Sequence, residues 1–180
     1  MIVNEIMLDF FRNYVHLEVH FSPGVNLIYG ENAQGKTNLL EAIAYLSTAA
    51  SHRARYDREL IHFGVDHAFV KGEVVSRKRN FSLEARLSRG TRRQLFANGV
   101  KLKTAEGLSG ILNTVLFCPE DLYLIREGAA ARRRFLDECI CQLRPKYAAA
   151  LTEYRKLYDH KTRILKDWEE KPSLLDTLDE

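Results

Sequence analysis

Residues 30 to 37 read Gly-Glu-Asn-Ala-Gln-Gly-Lys-Thr and match the phosphate-binding pattern G-x-x-x-x-G-K-S/T at every fixed position. Glycines in such a loop let successive backbone N–H groups turn toward a polyphosphate. The lysine then meets the β- and γ-phosphates as a point charge, and the threonine hydroxyl supplies one ligand of Mg²⁺. The sequence therefore predicts a nucleoside triphosphate site made of Gly30, Glu31, Asn32, Ala33, Gln34, Gly35, Lys36 and Thr37, with Thr37 on the metal.

The segments on either side of this loop have the composition that the motif requires. Residues 25–29 form a short, mostly apolar run typical of a buried parallel strand, and residues 38–46 are rich in helix formers. A helix that begins at the end of the loop adds its positive N-terminal end to the phosphate site. The alternative, a glycine-rich turn with an exposed Lys-Thr pair, does not explain these two flanking signals.

The remaining pattern predicts an antiparallel sheet followed by helices. Residues 14–21 alternate between apolar and polar and indicate a half-buried strand that pairs with residues 2–8. Further strands are predicted at 68–75, 81–87, 93–97 and 100–102, with an Asn98-Gly99 hairpin turn before the last, and 115–117 is another apolar run. Helices are predicted at 131–143 and, after Pro145, at 146–169. The apolar stripe of the second helix indicates a packing face, with a partner-binding surface as the alternative.

Composition places the chain among ordinary globular proteins. Of its 180 residues 46% are hydrophobic and 28% are charged, and no apolar run approaches the length of a membrane span. The N-terminal residues lack the order of a signal peptide, so we expect a cytoplasmic protein with no membrane partner. The three cysteines are expected to be reduced packing residues, with a metal or disulfide role as the alternative. The six histidines are scattered and form no ligand spacing.

The net charge of +3 does not by itself indicate a nucleic-acid-binding protein, but the basic residues are clustered. Each cluster is suited to a polyanion, with a solvated face as the alternative. The basic groups lie at Arg53, Arg55 and Arg58, at residues 77–79, at Arg89, Arg92 and Arg93, and at residues 132–134. The clusters that we assign to DNA contact are Arg53, Arg55 and Arg58, and Arg77, Lys78 and Arg79.

Several motifs together resemble the RecF family of bacterial DNA-repair proteins, which are relatives of the SMC and ABC-type ATPases. The resemblance covers essentially the whole chain. The Asn-Ala-Gln filling of the loop and the Phe-x-Pro-Glu-Asp-Leu run separate it from other phosphate-loop proteins. The matching segments are residues 9–14, 23–26, 30–43, 46–47, 51–53, 59–61 and 117–122.

This resemblance implies an α/β fold, part of a P-loop ABC-type ATPase head with an antiparallel β-subdomain (residues 1–125) and the start of a helical arm (residues 126–180). It also implies ATP and Mg²⁺ as cofactors, an ATP-dependent homodimer, and binding to single-strand/double-strand junctions of gapped DNA. With RecR, such a protein loads RecA in recombinational repair, replication restart and the SOS response. Arg12 and Asn13 match positions that contact nucleotide, and Pro119–Asp121 lies near the Q-loop position although no glutamine is present.

The acidic Walker B residue and the signature loop of the family are missing from the sequence. Phe135–Glu138 is spelled like Walker B but is expected to lie on an amphipathic helix, and Leu108–Gly110 imitates a signature loop in the wrong place. We therefore expect an N-terminal portion that ends inside the arm and that hydrolyses little ATP alone. The alternatives are a small-molecule phosphotransferase of the P-loop class and an ATP-binding interaction module without turnover.

Overall fold

The computed structural model describes residues 1–118 and 128–167, and its largest element is an antiparallel sheet of six strands. The spatial order is β2-β1-β3-β4-β5-β6, so β2 and β6 are the edge strands of this sheet. The register pairs Leu8 with Leu17 and Val70 with Ala85. The strands are β1 (Ile2–Phe11), β2 (Tyr14–His20), β3 (His67–Ser76), β4 (Arg79–Ser88), β5 (Gln94–Ala97) and β6 (Val100–Leu102).

Helix α1 (Lys36–Thr48) packs on one face of the sheet and buries Ala42, Tyr45 and Leu46. The closest approach is at Gly72 of β3, where a Cβ atom would lie 2.7 Å from the Leu46 Cδ1 atom. Glycine at this position therefore lets the Leu46 side chain of α1 lie directly against the sheet, and a larger residue would require that side chain to shift. The strand residues of the same core include Ile6, Leu8, Val70, Leu83 and Ala85.

Helices α2 (Ala129–Leu143) and α3 (Pro145–Asp167) form a hairpin that attaches to the segment after the sheet. The Thr152 hydroxyl donates to Glu106 at 2.6 Å, and the Gln142 side chain accepts from the Thr114 backbone N–H at 2.7 Å. Glu106 belongs to a 3₁₀ turn (Ala105–Leu108) that follows β6. None of the described helices combines the length and the apolar character needed to cross a membrane.

Most of the predicted elements are confirmed. The strands predicted at 14–21, 68–75, 81–87, 93–97 and 100–102 are all present and pair antiparallel. The Asn98-Gly99 turn has positive φ angles of 50° and 75° at its two residues. Pro145 is the first residue of α3, which is the helical position that proline tolerates best. The predicted boundary between head and arm at residue 125 lies outside the described residues, as do Pro119–Asp121 and Trp168.

The predicted parallel strand at residues 25–29 is wrong for this structure. The segment has no strand assignment, and Val25, Leu27 and Tyr29 are 97%, 82% and 86% exposed. The apolar run at 115–117 behaves alike, with Val115 and Phe117 exposed. Apolar composition signals burial only where neighbouring strands cover both faces, and no described strand pairs with either segment.

The apolar stripe of α3 is only partly a packing face. Ala148 and Ile164 are buried, but the stripe residues Tyr154, Tyr158 and Leu165 are exposed. Tyr154 and Tyr158 stack on each other, with their ring centroids 6.1 Å apart. In the described part of the chain, the arm therefore carries an aromatic surface that the helix hairpin leaves open to solvent.

Candidate nucleotide-binding site

The predicted phosphate-binding loop leads directly into the first turn of α1. Gly30, Ala33 and Gly35 have positive φ angles of 147°, 67° and 103°, so the backbone turns back on itself at three places. The Lys36 Nζ atom donates hydrogen bonds to the carbonyl oxygens of Gly30 at 2.9 Å and of Glu31 at 2.5 Å. Both acceptors are neutral, so these contacts leave the ammonium charge of Lys36 available for an anion at the loop.

Gly35 is required by its surroundings as well as by its φ angle. A Cβ atom there would lie 2.7 Å from both the Asn13 Oδ1 atom and the Tyr14 hydroxyl oxygen. The Asn38 side chain of α1 also donates to Asn13 Oδ1, at 2.8 Å. The structure therefore brings Asn13 against the loop and the first turn of α1, while its contact with nucleotide stays a prediction.

Arg12 lies at the same end of the sheet, but its guanidinium is turned toward protein groups. The Nε and Nη2 atoms donate to the two carboxylate oxygens of Glu41 at 2.9 and 2.7 Å, and Nη1 donates to the Glu59 carbonyl at 2.9 Å. This bidentate geometry is the strongest form of the arginine–carboxylate pair. Arg12 thus joins the end of β1, helix α1 and the 3₁₀ turn at Asp57–Glu59, and its predicted nucleotide contact stays untested.

The sequence reasoning missed Glu41, whose side chain is completely buried. The Ser51 hydroxyl donates to Glu41 Oε1 at 2.5 Å, and Arg53 Nη1 lies 3.7 Å from Oε2. Burial alone raises the pKa of Glu41, but hydrogen bonds from Arg12 and Ser51 and the charges of Arg12 and Arg53 outweigh it and hold the pKa below its ordinary value. The sequence did contain a signal for this residue, because an acidic side chain on a mostly apolar helix must be paired with a positive group if it is buried.

The two basic groups predicted to contact DNA lie far apart. Arg53 donates to Asn38 at 3.0 Å, beside the first turn of α1, and Arg55 and Arg58 lie over the Tyr56 ring. Arg77 and Lys78 form the turn between β3 and β4, and Arg79 is the first residue of β4. That turn is beyond the end of β3 that pairs with Ile2, opposite the end that pairs with Asp9. Ten strand residues span about 30 Å, so the two groups are not one compact patch.

The segments that imitate family motifs have structural partners here. Asp137 lies on α2, as expected, and accepts hydrogen bonds from the Tyr147 hydroxyl at 2.6 Å and from Arg155 at 3.2 Å. Its carboxylate therefore links α2 to α3. The Ser109 hydroxyl donates to the Cys141 carbonyl at 2.5 Å, which attaches the arm to the segment after the sheet.

The chain matches the AAA domain family over residues 5–109. A curated relative, the "DNA replication and repair protein RecF" of Agathobacter rectalis, is 44% identical over 99% of this chain and 49% of its own length. The chain therefore spans about half the length of the curated relatives that it matches.

Solved structures agree with this relationship. A structure described as the recombination mediator protein RecF with ATP, in the RecFOR pathway, is 37% identical and superposes with a TM-score of 0.89, over 99% of this chain and 49% of that one. An SMC ATPase structure, 21% identical, has a TM-score of 0.62 over 76% of this chain and 98% of that one, which shows a shared fold.

Proposed function

The chain belongs to the AAA domain family and is a homologue of the RecF proteins, and from this we propose that it binds ATP with Mg²⁺ as the ATPase head of a DNA-repair protein. The geometry of residues 30–37 carries this proposal. Lys36 lies over the loop on two neutral carbonyl acceptors, and Gly35 begins α1 with a left-handed backbone. The description of a similar structure as a RecF–ATP complex supports ATP over other triphosphates.

Each residue of the loop has a separable task in this proposal. The backbone N–H groups and the N-terminus of α1 would surround the phosphates, and Lys36 would exchange its carbonyl acceptors for phosphate oxygens. Thr37 is exposed on the first turn of α1, where its hydroxyl is free to ligate Mg²⁺. When bound, the metal would neutralise charge on the β- and γ-phosphates.

Thr37→Ala should weaken only the Mg²⁺-dependent part of ATP binding, because it removes a metal ligand and no phosphate contact. We expect the affinity measured with Mg²⁺ to fall several-fold and the affinity measured in EDTA to stay the same. Fluorescent ATP titration under the two conditions tests this. Thr37→Ser, which keeps the hydroxyl, is the matched control and should behave like the parent. Equal losses with and without metal would remove Thr37 from the metal site.

The 180-residue chain should release phosphate near the background rate on its own. The Walker B carboxylate and the signature loop that the chemistry requires are missing from its sequence. Asp137→Asn should change nothing in a steady-state phosphate-release assay, because Asp137 is engaged with Tyr147 and Arg155. Robust release that this substitution abolishes would show instead that residues 135–138 act as Walker B.

We further propose that the full-length protein dimerises with ATP, binds gapped DNA and acts with RecR to load RecA. The printed names of the relatives, a replication and repair protein and a recombination mediator, support this biology. ATP-dependent co-purification with RecR and binding to a gapped duplex test it. Metabolite-dependent turnover would favour a phosphotransferase instead, and ATP binding with neither DNA binding nor turnover would favour an interaction module.

A further inference from the structure

A cleft of about 480 Å³ lies beside α1, between the loop that follows this helix and the N-terminal half of α2. We call it the arginine cleft. Its walls come from three separate parts of the chain: the loop at residues 49–57, the segment before β5, and the arm. The arginines that line it are Arg53, Arg55, Arg93 and Arg134, and among the described lining residues Asp57 is the only carboxylate.

Two of the four guanidinium groups in the arginine cleft, those of Arg55 and Arg134, remain largely available. Arg53 is already engaged with Asn38 and Glu41. Asp57 is already committed, since Arg93 Nη1 donates to both of its oxygens at 3.1 Å and the Tyr45 hydroxyl donates to Oδ1 at 2.9 Å. Arg134 uses only Nε, on Glu138 at 3.1 Å, and both side chains of that pair are more than half exposed. The Arg55 guanidinium lies 5.4 Å from the centre of the Tyr56 ring and makes no ion pair with any residue in the described part of the chain.

We propose that the arginine cleft binds phosphates of the DNA backbone, with the head and the arm each supplying a guanidinium. This inference rests on the proposed DNA-binding function and says where that function resides. The four arginines of the lining converge from different elements, and the one lining carboxylate, Asp57, is already paired with Arg93, so the lining carries a net positive charge. Planar guanidinium groups match the geometry of phosphate oxygens, and contacts of this kind are independent of base sequence.

The arginine cleft and the basic turn at residues 77–79 are separate sites. That turn lies at the far end of β3, about 30 Å away along the strand. DNA whose phosphates bind in the cleft therefore does not have to contact the turn as well. Arg144 and Lys146, where α2 meets α3, are both exposed and, like Arg55 and Arg134, remove two charges when neutralised, so they provide a charge-matched control outside both clusters that the sequence assigned to DNA.

The test compares two double variants of the full-length protein with Mg²⁺ and ATP. Arg55→Ala with Arg134→Ala alters the cleft without touching the buried contacts of Arg53 or Arg93. Arg144→Ala with Lys146→Ala is the control. Fluorescence anisotropy with labelled single-stranded, duplex and gapped DNA at several salt concentrations gives the affinity and its salt dependence.

For the cleft variant we expect at least a tenfold loss of affinity at low salt. The slope of log affinity against log salt should become less steep, because two phosphate contacts are lost. Each contact contributes about 0.9 to the slope on duplex DNA. Arg55→Lys with Arg134→Lys should retain most of the slope because it keeps the charge. An unchanged slope in the cleft variant, or an equal loss in the control variant, would overturn the inference.

Two further readings of the same experiment separate this inference from the proposed function. Arg53 reaches Asn38 near the phosphate-binding loop, so ATP affinity is measured in the same variants. It should be unchanged, and a parallel loss of ATP affinity would assign the cleft to the nucleotide instead of DNA. Failure of the parent protein to bind any of the DNAs would overturn the proposed DNA-binding function itself.

Discussion

Lys36→Met should remove most of the affinity for ATP and leave the fold intact. The Lys36 ammonium lies 2.9 Å and 2.5 Å from two loop carbonyl oxygens. When ATP binds, phosphate oxygens would replace these carbonyls as its hydrogen-bond acceptors. A hydrogen bond to a charged group contributes about 1.5–3 kcal/mol, so its loss weakens binding roughly ten- to 150-fold. Stability should change little, because both carbonyls belong to an exposed loop and can bond to water instead.

Titration with a fluorescent ATP analogue measures this loss, and the denaturation midpoint reports the fold. Lys78→Met is the matched control, since it removes the same charge from the distant turn between β3 and β4. Unchanged affinity in the Lys36 variant would contradict the assignment of the loop as a phosphate site. A similar loss in the Lys78 variant would show that the effect comes from net charge alone.

Glu41→Ala should destabilise the protein by about 3–5 kcal/mol, the usual cost of removing one partner of a buried ion pair. The Glu41 side chain is fully buried and that of Arg12 is 20% exposed, so the truncation leaves the Nε and Nη2 atoms of Arg12 without their acceptor. Ser51 loses its acceptor as well. The denaturant midpoint at neutral pH measures the change, with Glu138→Ala, which removes an exposed carboxylate of α2, as the control expected within about 0.5 kcal/mol of the parent.

Lowering the pH should remove the contribution of ionised Glu41 to folding stability without any mutation. The pKa of Glu41 in the folded state lies below its ordinary value of 4.5, so its stabilising effect is complete above that value. The effect is lost as the pH falls through the folded-state pKa. The stability difference between the parent and Glu41→Gln should therefore be constant near neutral pH and should shrink below about pH 4.5. A constant difference throughout would mean that the charge of Glu41 is unimportant.

The features that the sequence predicted correctly are those with local causes. The glycine pattern of the loop, the alternation from residue 14 and the Asn98-Gly99 turn depend on neighbouring residues, and each is found where it was predicted. The arm hairpin follows in the same way from Pro145. The predicted strand at residues 25–29 failed because burial depends on which strands lie beside a segment, and composition does not contain that information.

The features that the sequence could not predict come from residues distant in the chain. Arg12 and Glu41 are 29 positions apart, and their pairing depends on how α1 crosses the end of β1. The arginine cleft likewise joins a loop, a strand end and a helix from three parts of the sequence. Clustering along the chain placed Arg53, Arg93 and Arg134 in three separate basic groups, and only the tertiary structure brings the three side chains to one cleft.

The exposed run at residues 25–29 has a consequence for the behaviour of the chain in concentrated solution. It is uncharged and free of proline, it belongs to no strand or helix, and its apolar side chains Val25, Leu27 and Tyr29 face water. Segments of this composition pair edge to edge between molecules and nucleate aggregates. Because Gly30, the first residue of the phosphate-binding loop, directly follows this run, pairing of the run between two copies would obstruct access of nucleotide to the loop. Preparations that self-associate should therefore lose nucleotide capacity in proportion to the aggregated fraction.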